Sequence, residues 1–237
     1  MTKRVQFGVA LAAAVLVSGC GGSSTSTSSK PPTKTAAVAA AAGINLQTAD
    51  LPAGYTGAPH DSSSDSSSDD AAFATCAGAS PPNGQDVADE YSQDFSKGQQ
   101  IDMSQVSSEV DVVKSASTAK QDLAAFQSDK TTACLATFVT KLVTRQAGGT
   151  PGVTFDTPKV SKVPVKADGT EGGFGYTVRL DAKASGLTIP FEISIRSFLV
   201  KHSEISLTTL SLGHPFPASD RDALFAKLLE RAKKSAV

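Results

Sequence analysis

Apolar and polar residues alternate most regularly in the second half of the chain. Phe174, Tyr176, Val178, Leu180 and Ala182 occupy every second position between Gly175, Thr177, Arg179, Asp181 and Lys183, which predicts a half-buried strand. Ser185-Gly186 follows as a two-residue turn. Leu187, Ile189, Phe191, Ile193 and Ile195 then resume the alternation. Pro190 places that end of the second strand at an edge or a bulge, and the change of parity at Phe198 and Val200 predicts a bulge or twist before a turn at Lys201-His202. Ile205 and Leu207 open a third strand that ends at Leu212-Gly213. Three strands joined by short turns make an antiparallel meander. Residues 159–165 read as a strand before it, and Val106, Val110 and Val112 mark another over residues 105–113. Glu109 and Asp111 share the opposite face of that strand. An acid/base pair is one reading of them; a solvated outer face is the reading preferred, because antiparallel sheets commonly wet one side.

Helical spacing appears in two places. Ser117 is the expected cap of a helix carrying Ala119, Leu123 and Phe126, with a kink near residues 128–131. Cys134, Leu135, Phe138, Val139, Leu142 and Val143 continue the apolar face until Gly148-Gly149 stops it. A final helix begins near Ser219, with Ser219 or Asp220 as cap, and its stripe of Leu224, Phe225, Leu228, Leu229 and Ala232 is expected to cover the sheet. Residues 86–91 read as one helical turn. The fold class is therefore α+β: a single domain over residues 44–237, with an antiparallel meander packed by helices that include the C-terminal one. Residues 57–72, with the run Asp61-Ser-Ser-Ser-Asp65-Ser-Ser-Ser-Asp69-Asp70, read as a low-complexity, solvated loop. The run lacks the glycine and terminal glutamate of a calcium loop.

The N-terminal pattern concerns address rather than fold. Lys3 and Arg4 precede an apolar run over residues 5–17, too short for a bilayer span of about 20 residues but of signal-peptide length. Val17-Ser18-Gly19-Cys20 follows. This resembles the lipobox of bacterial lipoproteins. The resemblance implies removal of residues 1–19, a lipid on Cys20, and residence at the extracytoplasmic face of a cell membrane. Residues 20–43, rich in Gly, Ser, Thr, Pro and Ala, are expected to form a disordered tether.

Composition adds exclusions. The net charge is -1, and loss of Lys3 and Arg4 brings it to -3, so no nucleic-acid partner is expected. Lipidation of Cys20 leaves Cys76 and Cys134, and an oxidising compartment favours a disulfide between them over two free thiols. His60, His202 and His214 show no ligand spacing with either cysteine, so neither metal nor cofactor is expected. No nucleophile elbow, phosphate loop or metalloprotease motif is present. A hydrolase built on His202 or His214 is the least favoured reading. Arg179 and Arg196 are expected to pair with Asp181 and Glu192 at the surface rather than to bind an anion.

The layout, the extended lead-in Asp50-Leu51-Pro52-Ala53-Gly54 and the Cys134-Leu135 helix resemble the small α+β lipoproteins of actinobacteria, whose domains are similar to the PsbP/Mog1-like and serine/threonine-kinase sensor-domain groups. That resemblance implies a non-enzymatic envelope protein, binding a lipid or small amphiphile or docking another envelope protein. The N-terminal pattern makes a direct prediction. The wild-type protein should take up radiolabelled palmitate and sediment with membranes, whereas the Cys20→Ala variant should take up none and remain soluble. Label on the variant would sink the assignment.

Overall fold

The computed structural model describes residues 31–60, 67–80, 86–99, 101–148 and 152–237. The lipobox, Cys20 and residues 61–66 of the Ser/Asp run lie outside the described residues.

Helix α1 (Lys34–Ile44) comes first and leads, through a 3-10 turn at Thr48–Asp50, to strand β1 (Thr56–Ala58) and helix α2 (Ser67–Ala77). Strands β2 (Asp86–Tyr91), β3 (Asp94–Gln99) and β4 (Asp102–Val113) follow, then helices α3 (Ala116–Phe126) and α4 (Lys130–Gly148). Strands β5 (Val153–Phe155), β6 (Lys159–Lys162), β7 (Gly172–Ala184), β8 (Leu187–Val200) and β9 (Ser203–Leu212) precede the last helix, α5 (Ala218–Ser235). All pairings are antiparallel, and the sheet order among the described residues is β1-β3-β4-β9-β8-β7-β5. Strand β2 shares the outer edge of β4 with β3, and β6 shares the outer edge of β7 with β5. The α+β class, the meander and the covering C-terminal helix are as the alternation predicts.

Both faces of this sheet are covered. Phe174, Tyr176, Val178, Leu180, Phe191, Ile193, Ile195 and Leu199 pack with α2, α3 and α4 through Ala74, Leu123, Phe126, Leu135 and Val139. The other face holds Val106, Val110, Val112, Phe198, Val200, Ile205 and Leu207, which pack with α1 and α5 through Ala37, Ala41, Ile44, Leu224, Phe225 and Leu228. This explains the parity change in β8. Its register against β7 and β9 runs without a break from Phe191 to Val200, so the predicted bulge is absent there. Phe198 and Val200 face the second helical layer instead. Pro190 does sit at an edge: β9 ends opposite Phe191, and beyond it the Gly213 N–H donates to the Pro190 carbonyl. The hairpin turn holds Ser185 and Gly186 at φ of 51° and 80°, the pair of positive values that a type I′ turn requires.

Three readings are corrected. Residues 34–43 are helical rather than a disordered tether: Ala37, Ala41 and Ile44 are fully buried, and small side chains let the helix lie close on β2 and α5. Its end is fastened by the Asn45 side-chain amide donating to the Glu90 carbonyl at 2.7 Å, and by the Ser108 hydroxyl donating to Asn45 Oδ1 at 2.8 Å. Residues 57–72 are not one loop, because β1 and the start of α2 fall within them. Asp69, near the start of α2, suits the positive end of a helix and pairs with Arg145 of α4, and Cys76 is bonded to Cys134. Residues 86–91 form a strand, since pairing with β4 satisfies their backbone groups better than an isolated turn would.

Smaller adjustments concern helix ends. Ser115, not Ser117, caps α3 by accepting the Thr118 N–H. Pro217 precedes α5 with no side-chain cap, and residues 163–165 lie beyond the end of β6. The expected kink separates α3 from α4. There the Tyr176 hydroxyl donates to the Phe126 carbonyl, joining the break to the sheet. The disulfide closes a separation of 58 residues, worth about 4 kcal/mol in the chain-entropy account. The docking of α1 has a direct test. Ala37→Leu should overpack the seam and lower stability in urea by about 1–3 kcal/mol, whereas a free tether would leave the midpoint unchanged.

Candidate functional site

The pairing of β2, β4 and β9 brings acids together on one face of the sheet. Asp89 lies directly opposite Asp111, and Asp111 lies opposite Glu204. One rung along, Tyr91 faces Glu109, which faces Ser206. Glu109 and Asp111 are buried, at 6% and 4% exposure, so the expected solvated outer face is corrected. The apolar alternation of Val106, Val110 and Val112 gave the right strand. It could not show that the opposite face is also covered, nor that β2 supplies Asp89 and Tyr91.

Like charges opposed across a ladder are destabilising, and burial increases the cost of each ionised group. Burial, then the negative charges of Glu109, Asp89, Asp86 and Glu204, push the Asp111 carboxyl well above its usual range. Its Oδ1 is buried and has no hydrogen-bond partner. Glu204 is raised by burial and then by Asp122 and Asp86. The Tyr91 phenol is pushed far up by burial and by the carboxylates of Glu109, Asp89 and Asp111, and it hydrogen-bonds to Glu109. Asp86, where the register of β2 shifts, rises to about 6 through burial and the neighbouring Asp89, with Lys114 acting in the opposite sense. On α3, Asp122 is buried and also rises to about 6, although it accepts the Ser80 N–H at 2.9 Å.

Aromatic residues border the cluster. The His60 ring stacks on Tyr91 with centroids 4.2 Å apart and planes 6° from parallel, and His60 Nδ1 lies 3.2 Å from Asp94 Oδ1. Neither His60 nor Tyr91 stands out in the sequence. Their meeting depends on the fold, which brings the segment after β1 against the end of β2.

The other sequence candidates are dispersed. His202 is buried with Nδ1 3.0 Å from the Val113 carbonyl. His214 stands in solvent 3.1 Å from Asp102. The whole of β9, about 33 Å of strand, separates the two histidines, so they do not share a site. Arg179 pairs with Glu192 at 2.7 Å as expected, while Arg196 pairs with Asp222 of α5 rather than within the hairpin. Cys76 and Cys134 form the disulfide that links α2 to α4. Between α3 and the sheet, a cavity of about 10 Å³ is lined by Leu123, Phe126, Phe174, Leu199 and Glu204. That is room for one water-sized molecule.

No family model, curated protein or solved structure matches this chain.

The raised carboxyls set a pH dependence. A carboxyl whose folded value lies above its unfolded value contributes stability that is complete below the unfolded value and lost as pH rises through the folded one. For Asp86 and Asp122 that window runs from about 3.8 to about 6. Stability in urea should therefore fall across this window. Asp122→Asn keeps an acceptor for Ser80 and should lessen the fall by on the order of 1 kcal/mol. An unchanged slope in the variant would refute the assignment for Asp122.

Proposed function

We propose that this chain is a lipid-anchored extracytoplasmic binding protein that takes a positively charged ligand on the acid-lined face of β2, β4 and β9. One observation carries the ligand reading. Asp111 is buried with an unpaired oxygen, and the carboxylates of Asp89 and Glu109 stand beside it. The fold bears a cost there that a bound cation would offset. The address rests on the resemblance of Val17-Ser18-Gly19-Cys20 to a lipobox.

Two observations bear on the amphiphile and docking readings. The cavity beneath α3, about one water in size, is not itself an acyl-chain pocket. The large exposed apolar residues among those described are Ile101, in the turn before β4, and Leu187, at the start of β8: two side chains, where a docked protein would cover an extended patch.

The test is calorimetric titration of the purified domain at neutral pH with a panel of cations: divalent metal chlorides, spermidine and a Lys-rich peptide. Wild type should give at least one saturable isotherm that Asp111→Asn abolishes. The ligand-free variant should melt higher than wild type, because neutralising Asp111 relieves the repulsion. A panel without any Asp111-dependent isotherm overturns the reading.

A further inference from the structure

The structure assigns to Asp89, Glu109 and Asp111 a site for a hard divalent cation of the calcium class. This rests on the acidic face being cation-binding and names the cation. The three carboxylates each offer one oxygen, and these oxygens lie within 4.8 Å of one another. Two oxygens that each sit about 2.4 Å from one calcium ion can be at most about 4.8 Å apart, and the spacing of this set stays within that limit.

The backbone fixes this arrangement. Asp89 and Asp111 are direct partners across the β2–β4 ladder, and Glu109 is two residues from Asp111 on the same face. The extra methylene of Glu109 lets its carboxylate reach back toward that pair. Burial is graded: Asp111 and Glu109 form a closed floor, and Asp89 is exposed. An ion has access from the Asp89 side, where water can complete its coordination.

A second observation is that Asp111, itself 4% exposed, has its Oδ1 buried and accepting no hydrogen bond. A carboxylate oxygen in that position is a ligand atom in need of a cation. The donors are all oxygen, which selects hard ions over zinc or copper. Calcium is favoured over magnesium because a dry floor strips water from one side of the ion. Magnesium dehydrates reluctantly and demands near-ideal octahedral geometry. Tyr91, hydrogen-bonded to Glu109, orients that ligand from outside the coordination sphere. Modules outside the cell bind calcium with Kd on the order of 10⁻⁴–10⁻³ M, and three carboxylates with one open side suit that range.

Tyr91 provides the readout. Terbium replaces calcium at oxygen sites and emits when a tyrosine within a few ångströms is excited. The chain has three tyrosines and no tryptophan, so the antenna can be identified. Titration of the full chain with terbium chloride should give saturable emission excited in the tyrosine band. Calcium should reverse it at about millimolar concentration and magnesium less well. Wild type should show a calcium-induced rise in Tm of about 3 °C at ten times Kd; Tyr91→Phe should lose the emission and, without the hydroxyl that orients Glu109, need more calcium for that rise. Asp111→Asn should lose both, and Asp129→Asn, at a carboxylate 99% exposed, should lose neither.

Wild type without saturable emission, and without a rise in Tm in calcium, overturns the metal site. So does emission that survives Tyr91→Phe. If spermidine or the peptide still binds through Asp111, the cationic reading stands and only the metal falls. If they too fail, both fall. Because the wild-type titrations decide the matter, a poorly folding variant does not rescue the proposal.

Discussion

The ladder β7–β8–β9–β4 is covered on both faces, and most of this structure follows from that constraint. A sheet with one wet face could place every polar strand residue in solvent. Here α2, α3 and α4 cover one side while α1 and α5 cover the other, so consecutive residues of β8 such as Phe198 and Leu199 are both buried. Register is then tightly specified, because a slip of one residue would exchange two dry faces that differ in shape. Polar residues on these strands are enclosed with their neighbours, and Ser197 and Ser206 meet hydroxyl to hydroxyl at 2.7 Å. The acids of β4 are enclosed by the same geometry.

The fastening of the two helical layers differs. On one side the disulfide ties α2 to α4 covalently, and the Tyr176 hydroxyl ties the α3–α4 break to the sheet. On the other side α1 and α5 are joined by apolar packing and by the ion pair of Arg231 with Asp50, whose two contacts are 2.7 and 2.8 Å. A paired guanidinium and carboxylate of this geometry is among the stronger polar contacts. It fixes the chain leaving α1 against the C-terminal part of α5.

Much of the fold was legible in the sequence where the environment of a residue is local. Strand alternation from Phe174 to Ala182, the Ser185-Gly186 turn and the stripe of α5 each announce themselves. Helix α1 did not, because its alanines carry no apolar contrast until a partner surface is known. Residues 86–91 did not, because acids such as Asp86, Asp89 and Glu90 look like a solvated turn unless β4 is known to lie beside them. The candidate site was legible only in half: Glu109 and Asp111 were placed on one face, but their burial depends on long-range pairing. The same acids oppose stability at neutral pH, a cost that natural folds retain mainly where function needs it.

The docking of α1 also shortens the leash. With the lipid proposed at Cys20, the chain is fixed to the folded body from Thr33, whose hydroxyl caps the helix. Even fully extended, the fourteen residues from Cys20 to Thr33 reach no further than about 50 Å. A tether running to residue 43 would have let the body wander about 35 Å further. Under that proposal the body would stay within this shorter reach of the bilayer and meet solutes near the lipid headgroups rather than those of the distant medium. Its α1–α5 side is the one from which the leash departs.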